Sequence, residues 1–193
     1  MFNSTFKVIY AILYLLATII RKIFTSKNRK MDFVTHRKST GDFILLFFDG
    51  IGMIIPLIYV FSSWLDFADY YLPAWIGWAG TGLFVFAIWV LYLSHAALGK
   101  NWTPVLAIQK EHTLVTSGIY AYIRHPMYAT HILWAIAQVL MLHNWIAGYS
   151  FFVVMIPHYL VRVGREEKML QDHYGQKYKD YAERTGRIFP KLW

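Results

Sequence analysis

The sequence AWIGWAGTGLFVFAIWVLYLSHAAL, residues 74–98, runs for 25 residues without an Asp, Glu, Lys or Arg. An α-helix of this length extends about 37 Å, more than the hydrocarbon core of a bilayer, which is about 30 Å thick. The stretch therefore predicts a helix that crosses a membrane.

The rest of the chain has the same apolar character. Of its 193 residues, 57% are hydrophobic and 16% are charged, and the mean hydropathy is +0.37. Soluble domains carry about 25% charged residues, so we predict an all-α integral membrane protein. We expect about five transmembrane helices, a cytoplasmic loop and a C-terminal amphipathic helical segment. The predicted spans are Thr5–Phe24, Phe43–Leu65, Ala74–Leu98, Met127–Leu142 and Trp145–Val161, the last two forming a tight hairpin.

Basic residues determine the predicted orientation. They cluster in the loop after the first span, in the loop after the third span and in the C-terminal tail. Five spans place these clusters on one side, which the positive-inside rule makes cytoplasmic, with the N-terminus outside and the C-terminus inside. No small-residue cleavage site follows the first span, so we expect an anchor rather than a signal peptide.

Charge and composition also limit the partners. The net charge is +8, and the charged residues cluster beside the apolar spans. This placement is typical of a membrane surface, so we expect membrane lipids as neighbours and no nucleic acid. The chain has no cysteine, which excludes disulfides, a thiolate nucleophile and Cys-based metal sites. No pair of His or carboxylate residues has a persuasive metal-ligand spacing, so we predict no metal.

Asp49, His131 and His158 are titratable residues inside the predicted spans. Asp49 lies near the end of the second span, where we expect it to pair with a basic residue. His131 and His158 lie in the fourth and fifth spans, and we expect both to be hydrogen-bonded interior residues rather than ligands.

The remaining reactive side chains lie on the predicted cytoplasmic side. They occur between Gly99 and Arg124 and again from Arg162, where RVGREEKML, residues 162–170, indicates a helix that continues from the fifth span. Arg162 and Glu166 are one helical turn apart and can share a face. We therefore expect a site roofed by these two segments, with the ends of the spans as its floor.

The stretch GIYAYIRHPMY, residues 118–128, joins these two regions. Pro126 suits the first turn of a helix, and His125 before it is pushed toward extended backbone. The start of a helix attracts anions, and Arg124 and His125 add hydrogen-bond donors. From the residues alone, a ligand wall and a plain helix start at a membrane surface are both open.

Several motifs together resemble the isoprenylcysteine carboxyl methyltransferase family, including its compact prokaryotic and archaeal members. The similarity runs from Leu98 to the C-terminus, about half of the chain. It rests on Leu98-Gly-x-x-Trp102, His112-x-Leu-Val, Gly118-x-Tyr120, Arg124-His-Pro-x-Tyr128, Arg162 with Glu166-Glu167, Tyr174-Gly-x-x-Tyr178-x-x-Tyr181 and Phe189-Pro.

The resemblance implies S-adenosylmethionine as methyl donor, leaving as S-adenosylhomocysteine, and Arg162 as the residue that binds the acceptor. We predict a single membrane domain over residues 1–193, with three spans in residues 1–97 and, as the resemblance implies, a catalytic half in residues 98–193. The cofactor-binding residues that it implies are Gln109, His112, Thr113, Leu114, Val115, Tyr120, His125, Pro126, Met127, Tyr128 and either Glu166 or Glu167.

These roles are chemically consistent with methylation of a carboxylate. A carboxylate is already a competent nucleophile at neutral pH, so the protein needs to position the reactants and exclude water. Arg162 offers two parallel donors to such a group without losing its charge. The expected acceptor is a lipophilic molecule or a lipidated cysteine. The alternatives are an amine N-methyltransferase of the phospholipid type, a reductase with a nicotinamide site and a non-enzymatic membrane scaffold, and the oligomeric state is left open.

Overall fold

The computed structural model describes residues 2–27, 33–36, 40–102, 107–109 and 113–191. Within these ranges the chain forms six α-helices and two short strands, so the all-α class is confirmed apart from one small sheet. In chain order they are α1 (Phe2–Lys27), β1 (Phe33–His36), α2 (Thr40–Phe61), α3 (Ala74–Leu98), β2 (Ala107–Gln109), α4 (Pro126–Met141), α5 (Trp145–Tyr174) and α6 (Gln176–Arg184).

Four of the described helices, α1, α2, α3 and α5, are long and apolar enough to cross a membrane. The predicted fourth span, α4, has 16 residues and extends about 24 Å, less than the thickness of a hydrocarbon core. The count of five spans therefore stays a prediction.

The predicted second span ends too late. α2 stops at Phe61 instead of Leu65, and the chain turns from Ser62 onward. The hydroxyl of Ser62 donates to the Ile58 carbonyl at 2.7 Å and accepts from the Trp64 amide at 3.3 Å. A serine that bonds locally to the backbone in this way competes with the helical hydrogen bonds.

The predicted hairpin between α4 and α5 is present, and Asn144 makes its turn. The Asn144 side-chain oxygen accepts from the amides of Ile146 and Ala147, which caps the start of α5. Its amide nitrogen donates to the Leu65 carbonyl at 2.6 Å and to Asp69 at 2.7 Å. One buried side chain thus fixes the hairpin to the loop between α2 and α3.

α5 continues without a break for 30 residues, from apolar sequence into charged sequence. At about 1.5 Å per residue it extends roughly 45 Å. The predicted fifth span and the charged segment after it are therefore one helix.

A buried polar contact joins α1, α4 and α5. Gln138 of α4 is fully buried, and its carbonyl oxygen accepts from the Tyr10 hydroxyl of α1 at 2.6 Å. Its amide donates to the Ala147 carbonyl at 2.7 Å and to the Ser150 hydroxyl at 3.1 Å, both in α5. Polar side chains that bond across helices in this way hold helices together where the surroundings are as apolar as the core.

α3 and α4 approach closely because small residues face each other. A Cβ added at Gly80 of α3 would lie 2.7 Å from the Leu140 Cβ and 3.1 Å from the Ala137 carbonyl oxygen of α4. Gly82, two residues further on, has nothing within 4 Å of the corresponding position. Gly80 therefore sets the distance between α3 and α4.

The two strands form an antiparallel ladder that the sequence did not predict. Phe33 pairs with Gln109, Thr35 with Ile108 and His36 with Ala107, with an irregularity between Phe33 and Thr35. The ladder joins the segment after α1 to the segment after α3.

We expect Gly80→Ala to destabilise the protein by about 1–3 kcal/mol, because the added methyl group overpacks the contact with α4. Thermal denaturation in detergent measures the effect. Gly82→Ala is the matched control, and it should be neutral or slightly stabilising, since Ala favours a helix over Gly by up to about 1 kcal/mol. Equal midpoints for the two variants would contradict the close packing of α3 and α4.

Candidate functional site

A cavity of about 450 Å³ lies between the helices. This volume is within the range of small-molecule sites, about 300–1,000 Å³. α1, α2, α3, α4, α5 and α6 contribute to its wall, together with the segment between α3 and α4. One end of the cavity is polar and the other is mostly apolar, so it can accommodate two different kinds of ligand.

The polar end is formed by the segment before α4, the charged part of α5 and α6. The side chains that line it are Thr113, Leu114, Val115, Tyr120, Arg124, His125, Met127, Tyr128, Glu166, Met169, Leu170, Tyr178 and Tyr181.

Glu166 is the carboxylate of this end. It accepts a hydrogen bond from the Tyr128 hydroxyl at 2.9 Å, and its other oxygen lies 3.8 Å from His125 Nδ1. Among the residues that the structure describes, no Lys or Arg forms an ion pair with Glu166. Its negative charge is therefore available to a cationic ligand.

Glu167, the neighbouring acid, is placed differently. It binds Arg187 at 2.8 Å and Arg124 at 3.1 Å, and His125 Nε2 lies 3.3 Å from it. It is not part of the cavity wall. Two arginines and an imidazole occupy its oxygens, so Glu167 ties segments together, whereas Glu166 faces the cavity.

Arg124 binds the C-terminal segment to the helix start. Its guanidinium donates to the carbonyls of Ala182, at 2.8 Å, and Thr185. The backbone of the same segment pairs directly, since the amides of Arg124 and His125 donate to the carbonyls of Gly186 and Arg187 at 2.8 and 2.9 Å. Residues 122–125 are thus held against residues 185–187, which sequence reasoning missed.

Three tyrosines at the polar end stay protonated. Burial raises the pKa of Tyr181 to about 12, and burial together with the charge of Glu166 raises the pKa of Tyr120. Burial and the charge of Glu167 likewise raise the pKa of Tyr178. The Tyr181 hydroxyl donates to the Tyr120 carbonyl at 2.7 Å, which packs α6 onto the cavity.

Arg162 lies in the middle of the cavity wall and is only 7% exposed. His158, one turn earlier on α5, has Nε2 3.5 Å from Arg162 Nη1. Its Nδ1 contacts Asp49 of α2, so the basic partner that was expected for Asp49 is a histidine. His131 of α4 is hydrogen-bonded, as predicted, through Nδ1 to the Met127 carbonyl at 2.6 Å and through Nε2 to Arg21 at 3.1 Å.

The structure brings most of the predicted site residues to one cavity. Arg162, Glu166 and seven others line it, namely Thr113, Leu114, Val115, Tyr120, His125, Met127 and Tyr128. Pro126 is buried at the first position of α4 and Glu167 forms ion pairs, so neither is part of the wall. The backbone of Gln109 belongs to β2, and His112 lies outside the described residues.

The apolar end was not predicted. It is lined mainly by residues of α1, α2, α4 and α5, namely Tyr14, Ala17, Thr18, Leu46, Gly50, Met53, Trp134, Phe151 and Met155. In the sequence these residues cannot be distinguished from other residues of a membrane span, because an apolar side chain suits a lipid-facing surface and a cavity equally well. Within the described ranges, no three His, Asp or Glu side chains group into a metal site.

A protein-family model matches the part of the chain that forms much of this cavity. The sequence model described as the isoprenylcysteine carboxyl methyltransferase family matches residues 80–172, which include α4, most of α5 and the segment before α4. Arg21 and Asp49 lie outside the matched region.

Curated relatives agree with this match. The chain is 33% identical over 141 residues to protein-S-isoprenylcysteine O-methyltransferase of Rattus norvegicus, covering 67% of this chain and 50% of that protein. It is 27% identical over 137 residues to protein-S-isoprenylcysteine O-methyltransferase B of Arabidopsis thaliana, covering 70% of each. The chain thus spans about half the length of several of the curated relatives that it matches.

A solved structure shares the fold. It is the eukaryotic intramembrane Ras methyltransferase ICMT without a monobody, with a TM-score of 0.56 and 23% sequence identity. The similarity covers 81% of this chain and 54% of the solved one. Together with the four long apolar helices, these matches identify an integral membrane protein that belongs to the isoprenylcysteine carboxyl methyltransferase family.

Proposed function

We propose that this protein is an S-adenosylmethionine-dependent methyltransferase that methylates the carboxylate of a lipophilic acceptor of the isoprenylcysteine type. The observation that carries the proposal is that one cavity has Glu166 at its polar end, Arg162 in the middle and apolar side chains beyond. A cationic donor and a lipophilic anionic acceptor would each meet a complementary wall.

The polar end fits S-adenosylmethionine. Glu166 would bind its ammonium group, since the carboxylate is oriented by Tyr128 and is not paired to a Lys or Arg among the described residues. Tyr120 and Tyr128 offer aromatic faces, which attract a cation such as a sulfonium. When bound, the cofactor supplies an activated methyl group at its sulfur.

Arg162 would bind the acceptor carboxylate. The planar donors of a guanidinium match the two oxygens of a carboxylate. No proton needs to be removed from this nucleophile, so the task of the protein is to align the reacting groups, which can be worth roughly 7–11 kcal/mol. The apolar end, with Trp134, Phe151 and Met155, would hold the lipid chain and exclude water.

An amine acceptor is less consistent with this wall. An amine would be bound by a free acid, but Asp49 in the middle of the cavity contacts His158, and Arg162 beside them would repel a cation. A non-enzymatic scaffold has no need for a cavity that carries a negative charge, Glu166, at one end and a positive charge, Arg162, in the middle. Carboxylate methylation is therefore the function that the charges support best.

The topology proposed with this function has a cytoplasmic polar end, the N-terminus outside and the C-terminus inside. It rests on the basic residues of the C-terminal segment, such as Arg187, and on the water-soluble donor, which would enter from the cytoplasm.

Glu166→Gln is expected to weaken S-adenosylhomocysteine binding by about tenfold, because it removes the charge that pairs with the ammonium group. Calorimetric titration of the detergent-purified protein measures this, with NADPH as the negative control for a nicotinamide site. Glu167→Gln is the matched control. It should lower the thermal midpoint, because it removes the ion pairs with Arg124 and Arg187, but it should change the affinity for S-adenosylhomocysteine little. Saturable NADPH binding, or no binding of S-adenosylhomocysteine to folded wild-type protein, would contradict the proposal.

Arg162→Ala is expected to reduce kcat/KM for an N-acetyl-S-isoprenylcysteine at least 100-fold, about 3 kcal/mol of transition-state stabilisation. The affinity for S-adenosylhomocysteine should change little, because Arg162 lies away from the polar end. A radiolabelled methyl-transfer assay in lipid nanodiscs measures the first quantity and titration the second. If both fell equally, Arg162 would not be the acceptor-binding residue.

A further inference from the structure

Three side chains in the middle of the cavity form a continuous chain of contacts. Asp49 Oδ2 contacts His158 Nδ1, and His158 Nε2 lies 3.5 Å from Arg162 Nη1. All three residues line the cavity, and His158 is only 5% exposed. Asp49 comes from α2, outside the region that the family model matches, so the chain of contacts joins the two halves of the protein.

The two neighbours of His158 determine where its hydrogen lies. Asp49 contacts Nδ1, and a carboxylate cannot donate a hydrogen, so the hydrogen of a neutral ring lies on Nδ1. A guanidinium only donates, so Nε2 of a neutral ring accepts from Arg162. Asp49 thereby fixes both the tautomer and the orientation of His158, and His158 presents a lone pair to Arg162.

The intervening ring matters for a carboxylate acceptor. If Asp49 bound Arg162 directly, its carboxylate would compete with the acceptor for the same donors. With the imidazole between them, a neutral acceptor holds Arg162, and the negative charge of Asp49 still offsets part of the cost of burying the guanidinium. The contact with His158 therefore orients Arg162 without placing the carboxylate of Asp49 on it.

Helix packing alone does not explain the Asp49 side chain. Its second oxygen, Oδ1, is buried and has no hydrogen-bond partner among the described residues. A buried oxygen left without a hydrogen bond destabilises the folded protein. α2 and α5 already have a less costly polar contact, because the Ser150 hydroxyl donates to the Gly52 carbonyl at 2.9 Å.

We propose that Asp49 and His158 are positioning residues that hold Arg162 in the orientation that binds the acceptor carboxylate. The inference rests on the proposed function of Arg162 and deepens it. It assigns part of the acceptor specificity to α2, through an acid that touches His158 rather than the acceptor.

The test compares an N-acetyl-S-isoprenylcysteine acid with its carboxamide, which keeps the lipid chain but lacks the negative charge. Steady-state assays give kcat and KM for the acid, and competition assays give the affinity of both compounds. His158→Phe removes both ring nitrogens, and Asp49→Leu removes the acid that orients the ring. His158→Gln keeps a side-chain acceptor for Arg162, and Ser150→Ala is the matched control for α2–α5 contacts.

We expect His158→Phe and Asp49→Leu each to raise the acceptor KM at least tenfold and to abolish the preference for acid over carboxamide. S-adenosylhomocysteine affinity should stay within twofold of the wild type. His158→Gln should restore most of the preference, and Ser150→Ala should retain all of it. Where a single variant leaves its partner unpaired and fails to fold, the double variant Asp49→Leu/His158→Phe carries the test, since apolar replacement of a whole buried pair is often tolerated.

An unchanged preference for the acid in the variants would overturn the positioning role while leaving the proposed function intact. A parallel loss of S-adenosylhomocysteine affinity and thermal stability would also overturn it, because that result assigns Asp49 and His158 to helix packing. Failure of the wild-type protein to methylate the acid would instead overturn the proposed function, and the positioning role with it.

Discussion

The ion pairs of Glu167 with Arg124 and Arg187 hold the polar end of the cavity together. They connect α5, the segment before α4 and the C-terminal segment, three parts of the chain that share no helix. Backbone hydrogen bonds between residues 122–125 and 185–187 reinforce the same junction. Because Glu167 takes both arginines, Glu166 beside it keeps its charge for the cavity. Two adjacent acids thus differ in task through their partners alone.

The sequence predicted those features that depend on local patterns, namely the long helices, the start of α4 and the shared face of Arg162 and Glu166. Long apolar stretches predicted α1, α2, α3 and the first part of α5, and Pro126 marked the start of α4. The four-residue spacing of Arg162 and Glu166 placed both on one face, and both line the cavity. These features are local, so the sequence pattern contains the necessary information.

What escaped prediction depends on contacts between distant segments. The pairing of β1 with β2 and of residues 122–125 with 185–187 uses backbone groups, which every residue has. Asp49 was expected to pair with a basic residue, but which residue it contacts, His158, more than 100 positions away in the sequence, could not be predicted. The part of the cavity wall that α1 and α2 form could not be predicted, because the sequence does not distinguish apolar residues that face lipid from those that face a cavity.

The unbroken course of α5 has a consequence for how such a protein can diversify. Arg162 and Glu166 are four residues apart on one helix, about 6 Å along its axis, so the spacing between the two charged positions is set by covalent structure. Most residues of the apolar end belong to α1 and α2, and substitutions there do not alter the spacing between Arg162 and Glu166. Substitutions among the apolar residues of α1 and α2 can therefore reshape the apolar end of the cavity, while the distance between Arg162 and Glu166 is kept.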